Sequence, residues 1–214
     1  MRMTERVIAP ERLDFVNVVT SSHNHTDHLD GETLVRLLKA NPKLTVLVSR
    51  ANVDFAADRL QVAREGLTPI RVDDDPILIP PFSFQAIPSA HETLEQDENG
   101  DHKFIGLIVQ AGGRTIYHSG DAVLYDGLVE SLKRWKIDIA ILPINGRDPS
   151  RGVAGNFTGR EAAKLGKATR AGMVIPCHYE MFEFNTVSPE DFVNTSVDLK
   201  QPYCILKCGE QLRL

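Results

Sequence analysis

The stretch Ile137 to Ile144 (IDIAILPI) is nearly all apolar, and helix-like segments flank it on both sides. So short a run reads as a strand buried on both faces, and such strands occur in sheets covered by helices. The same alternation runs the length of the chain. Phe15 to Thr20 (FVNVVT) and Leu44 to Ser49 (LTVLVS) are strand-like, and Gly31 to Ala40 between them is helix-like behind a capping Asp30. Ala51 to Glu65 reads as a helix. Ile70 to Val72, Ile77 to Ile79 and Phe82 to Ile87 read as strands. Phe104 to Gln110 and Thr115 to His118 read as a hairpin turning at Gly112-Gly113. A helix is expected over Leu124 to Trp135, and another follows the capping box Thr158/Glu161 to about Arg170. Met173 to Pro176 is a buried strand, a last helix starts near Ser188 and Asp191, and Tyr203 to Cys208 closes as a strand. Strands interleaved with helices and no linker predict one α/β domain over residues 1–214.

Composition narrows the function. With 42% hydrophobic and 25% charged residues, the chain is expected to fold as a soluble globular protein. A net charge of −5 without a Lys/Arg cluster argues against nucleic acid as partner. No apolar run suits a membrane span, and the N-terminal MRMTERVIAPERLD lacks the apolar core of a signal peptide. The three cysteines form no disulfide framework and read as reduced thiols of a cytoplasmic protein.

Ser22 to Asp30 (SHNHTDHLD) crowds three histidines and two carboxylates behind the first strand. In extended chain His23 and His25 share a face. Asp27 and His28, past the turn, can reach a neighbouring point. This offers two ligands to each of two adjacent metal ions. A catalytic metal takes about three protein ligands, so further donors are expected downstream. They are found at strand ends: His91, Asp121 behind Gly120, and His178. A carboxylate such as Asp121 can bridge two metals. His102, in a polar loop, reads as a hydrogen-bonded surface residue, and His118 as a structural one.

His-x-His-x-Asp-His, then a lone His, a Gly-Asp and another His, resembles the metallo-β-lactamase superfamily from His23 to His178. The resemblance implies a four-layer αββα sandwich. It implies one metal on His23, His25 and His91, a second on Asp27, His28 and His178, and Asp121 bridging. Zn, Mn and Fe all suit such ligands. The reaction implied is hydrolysis by a metal-bridging hydroxide that Asp27 helps orient.

LPINGRD (Leu142 to Asp148) and HYEMFEFN (His178 to Asn185) are similar to the L-ascorbate-6-phosphate lactonase group. The substrate implied is a small lactone or ester, phosphorylated if Arg147, Arg151 and Asn156 hold a phosphate. Asn145, Tyr179, Phe184 and Asn185 would line the pocket. The first cluster also resembles N-acylphosphatidylethanolamine phospholipase D, so a phosphodiesterase is the alternative, and a metal-binding protein without turnover is a third. In these relatives more strands precede the cluster. The N-terminus therefore reads as shortened, and a homo-oligomer through the exposed sheet edge is expected.

Overall fold

The computed structural model describes residues 1–148, 150 and 155–213. Strands β1 (Val18–Ser21), β2 (Thr45–Ser49) and β3 (Thr68–Ile70) form a parallel sheet in that order. The central β2 shows how the layers arise. Side chains alternate across a strand. Val46 and Val48 pack on Leu34 and Leu37 of α1 (Gly31–Ala40) and on Ala56 and Leu60 of α2 (Val53–Leu60). Leu47, between them, faces the opposite way and joins Ile70, Phe84, Ala86, Ile105 and Leu107. Leu47 and Ile105 are each 1% exposed. Burial of that order stabilises by about 1.5–3 kcal/mol per side chain, which is what clamps the two sheets together.

The second sheet runs β4 (Ile77–Ile79), β5 (Phe82–Pro88), β6 (Ile105–Ala111), β7 (Arg114–His118), β8 (Ile139–Pro143) and β9 (Met173–Cys177), in sequence order. Its far face carries Ile87, Ile108, Tyr117, Ala140, Leu142 and Val174. These pack with Leu128 and Leu132 of α3 (Leu128–Lys133), Ala162 and Leu165 of α4 (Gly159–Thr169) and Phe192 of α5 (Glu190–Asp198). The order helix, sheet, sheet, helix is the four-layer arrangement that the resemblance implies.

Strand direction gathers the site. β6 is antiparallel to both β5 and β7, so those two run the same way, and β8 and β9 run parallel to β7. Their C-terminal ends, at Pro88, His118, Pro143 and Cys177, lie along one edge. The end of β1 joins them, because Ile105 N–H donates to the Ser22 carbonyl at 3.0 Å.

Local expectations need some correction. The helix expected to run to Glu65 stops at Leu60, where Gln61 turns left-handed at φ +55° and its N–H closes onto Ala57 and Asp58. The helix expected from Leu124 starts at Leu128, after Gly127 at φ +94°. Tyr203 to Cys208 is not a strand: only Tyr203 bridges to Val174, and Pro202 beside it has no N–H to extend the pairing. The Gly112-Gly113 hairpin and the Thr158/Glu161 capping box form as read, with φ of +56° and +75° at the two glycines. Among the described residues no helix is long and apolar enough to cross a membrane.

Candidate metal centre

β1 ends at Ser21, and the chain then coils tightly. His28 and Leu29 N–H groups both donate to the His25 carbonyl, at 3.1 and 2.8 Å. This turn brings Asp27 and His28 back over His23 and His25. The Ser22 hydroxyl lies 3.0 Å from His23 Nδ1 and 3.0 Å from His28 Nδ1. One hydroxyl therefore fixes two imidazoles with their Nε2 atoms turned inward. It can do so only because residue 120 is glycine. Gly120 holds φ +62°, and a Cβ there would sit 2.7 Å from Ser22 Cβ.

The second sheet supplies the rest. His91 follows β5, Asp121 follows β7, and His178 follows β9 in a left-handed conformation at φ +62°. The Ser89 hydroxyl, 3.0 Å from the Ser119 carbonyl and 3.1 Å from that of Asp121, ties the first two loops together. Two donor groups result, each with its ligand atoms within 4.8 Å of one another: His23, His25 and His91, and Asp27, His28, Asp121 and His178. Asp121 touches both. Its Oδ2 lies 3.7 Å from His91 Nε2 and 3.4 Å from His178 Nε2, and its Oδ1 lies 3.1 Å from His28 Nε2.

The electrostatics follow from this crowding. Burial, then the neighbouring His28, lowers the pKa of His23 to about 2, so the ring is neutral. Burial and His91 lower His25 as well. A hydrogen bond from His178 holds Asp27 at about 2. Burial opposes charge on Asp121, yet its contacts with His178 and His28 keep it far below the usual carboxylate range. Burial alone would depress His178, but Asp121 and Asp27 outweigh it and push the imidazole up to about 10. Without metal, then, a protonated His178 lies against two carboxylates and offsets one of their two charges.

The donor set fits divalent metal ions. His23 Nε2 and Asp121 Oδ1 are sealed from solvent and have no hydrogen-bond partner. The 3.1 Å approach of His28 Nε2 to Asp121 Oδ1 lacks hydrogen-bond geometry. A buried polar atom left unpaired costs about 1–3 kcal/mol, and an ion between the groups would satisfy both atoms. Neutral imidazoles and carboxylates are the ligand chemistry that zinc, manganese and iron accept.

Other expected residues fall elsewhere. His102 lies outside both groups, with Nε2 3.1 Å from Gln96 Nε2. His118 accepts from Gly120 N–H at 3.0 Å, and burial lowers its pKa to about 4, as suits a neutral structural ring. Asn145 Nδ2 donates to Asn185 Oδ1 at 2.7 Å, joining two of the residues expected to line the pocket. Tyr179 packs against the core on the helix-covered face of the second sheet, and its hydroxyl is buried without a hydrogen-bond partner. Phe184 is 61% exposed. Arg147 is held by Glu161 at 2.6 Å and by the Asn156 carbonyl at 3.1 Å. Arg151 lies outside the described residues. Sequence reasoning missed Ser22 and Phe104. The Phe104 ring stands 5.1, 5.9 and 5.4 Å from those of His23, His25 and His91 and walls them in. Ser22 abuts the cluster, but a lone serine carries no spacing signal.

Comparison with known proteins agrees with this architecture. The chain is 26% identical over 214 residues to the UPF0173 metal-dependent hydrolase of Saccharolobus solfataricus, across 97% of this chain and 86% of that protein. It is 28% identical over 206 residues to the UPF0173 metal-dependent hydrolase of Pyrococcus furiosus, across 96% and 84%. In fold it is similar to an isothiocyanate hydrolase from Delia radicum gut bacteria, with TM-score 0.74, 21% identity and coverage of 100% and 82%. It is also similar to a metallo hydrolase from Ignicoccus hospitalis, with TM-score 0.70, 18% identity and coverage of 91% and 77%. The family model for the beta-lactamase superfamily domain matches residues 1–179, and with the four layers and the donor geometry already described, the chain belongs to that superfamily and has its metallo-β-lactamase fold.

Proposed function

We propose that this protein is a hydrolase working with two divalent metal ions, of zinc, manganese or iron, on a small lactone or ester. The observation that carries the reading is the position of Asp121 between two complete donor groups. His23, His25 and His91 would hold one ion and Asp27, His28 and His178 the other, with Asp121 shared. Such a pair supplies a nucleophile near neutral pH and polarises the carbonyl to be attacked. Asp27 is the one carboxylate of the site that reaches solvent, with its side chain 45% exposed. It is therefore placed to orient an entering water. A phosphorylated substrate has less support, since the Arg147 guanidinium is engaged within the protein.

The test is hydrolysis of L-ascorbate 6-phosphate, simple lactones and phosphodiesters by metal-free, Mn²⁺-loaded and Zn²⁺-loaded protein. Metal-dependent turnover of a lactone is expected. Turnover of phosphodiesters alone would move the protein to a phosphodiesterase. Bound metal with no turnover on any of them would leave a metal-binding protein and sink the hydrolase reading.

A further inference from the structure

His91 Nδ1 lies 2.7 Å from the Gly155 carbonyl. A carbonyl only accepts, so Nδ1 carries a proton, and Nε2 is the nitrogen turned toward the donor cluster. The backbone comes this close because residue 155 lacks a side chain. A Cβ there would meet Val123 Cγ1 at 2.9 Å, Arg147 Cγ at 3.0 Å and the His91 carbonyl at 3.0 Å. The next residue, Asn156, is fully buried, and its Oδ1 accepts from Ala122 N–H at 2.8 Å, directly after Asp121. Gly155 thus holds one donor, His91, and Asn156 holds the backbone next to another, Asp121. Arg147 holds them in turn. Its stem lies over Gly155, its Nη1 donates to the Asn156 carbonyl at 3.1 Å, and its Nη2 pairs with Glu161 Oε1 at 2.6 Å. Glu161 is fixed from behind, because its Oε2 accepts from Thr158 N–H at 2.8 Å in the capping box of α4.

From this chain of contacts we infer that Arg147, braced by Glu161, is a positioning residue that sets the orientation of His91, and with it the metal position that His91 shares with His23 and His25. Arg147 touches none of the donors itself. The pair is half-exposed, with side chains 43% and 24% accessible, and such pairs add little to stability. What the pair supplies is the angle at which the Gly155 carbonyl meets the imidazole.

The metal-affinity part of this inference rests on the dinuclear reading above; the imidazole part does not. The experiment therefore has two arms on Arg147→Met, which keeps the stem on Gly155 and removes the guanidinium. In the metal-free protein, long-range proton–nitrogen spectra should show His91 as a single Nδ1–H tautomer in the wild type and a mixture in Arg147→Met. In Zn²⁺ and Mn²⁺ titrations, the variant should weaken one of two sites, by less than the roughly 10–100-fold that loss of a direct orienting partner costs. An unchanged tautomer and unchanged affinities overturn the inference. So does an effect confined to the KM of anionic substrates, which would place Arg147 on the substrate. A wild type without turnover would defeat the hydrolase reading and leave the tautomer arm standing. Should Arg147→Met not fold, Glu161→Gln decides: it is expected to shift His91 in the same direction by less, and a wild-type tautomer there overturns the inference.

Discussion

Asp27 Oδ2 and His178 Nε2, 151 residues apart in sequence, lie 3.2 Å from each other. The contact gives the metal-free site its pH behaviour. His178 is raised from 6.5 to about 10, so its contribution is complete below 6.5 and is lost as pH rises through about 10. Asp27 is lowered from 3.8 to about 2, so its contribution is present above 3.8 and is lost as pH falls through about 2. His23 and His118, lowered to about 2 and 4, must take up protons as pH falls below 6.5 and lose their contribution there, so metal-free protein should be most stable near pH 6.5. Thermal unfolding in chelator across pH checks this; a maximum above pH 8 would contradict it.

Metal binding requires His178 neutral. At pH 7.5 its proton must leave, so metal uptake should release protons and tighten as pH rises. Calorimetry in two buffers of different ionisation enthalpy measures the release directly. An identical heat in both buffers would show that His178 keeps its proton or takes no part.

Asp121 reaches both donor groups, whereas His25 belongs to one. Asp121→Ala should therefore empty both metal positions and His25→Ala one. Metal content per chain by atomic emission separates the two, and equal losses would count against a bridging Asp121. Hydrolysis should fall steeply in both variants.

Ser22→Ala removes the hydroxyl that steadies His23 and His28. Metal affinity should drop about 10–100-fold with the fold intact, because the ligands stay while their orientation loosens. Circular dichroism paired with a competing chelator reads both properties.

Gly166 tests the packing away from the site. A Cβ there would stand 2.2 Å from Val174 Cγ2, in the layer between α4 and β9. Overpacking costs about 1–3 kcal/mol, while alanine in a helix gains about 1 kcal/mol, so Gly166→Ala should be destabilising on balance. Urea unfolding measures it, with metal content per folded chain unchanged.

The sequence was most legible where chemistry and period coincide. His23, His25 and Asp27 stand close together behind a strand, and His91, Asp121 and His178 each follow an apolar run, so the donors and the layers could be read together. Arg147 was harder. Its partner Glu161 is 14 residues on and already explained as half of a capping box, so nothing in the spacing shows that the same carboxylate also holds a guanidinium. Gln61 and Gly127 ended helices earlier or started them later than periodicity suggests, because one left-handed residue overrides a pattern spread over several turns.

The edge where the strands end has a consequence for assembly of the chain. His23, His25, Asp27 and His28 come from the parallel sheet, whereas His91, Asp121 and His178 come from the other. Neither half holds a full set for either ion. A folding intermediate with its sheets undocked, or docked one register off, would offer each ion only part of its donors. Occupancy of the centre is thus a report on the whole molecule: the ions would act as a rivet through both halves, and only the native pairing drills the hole.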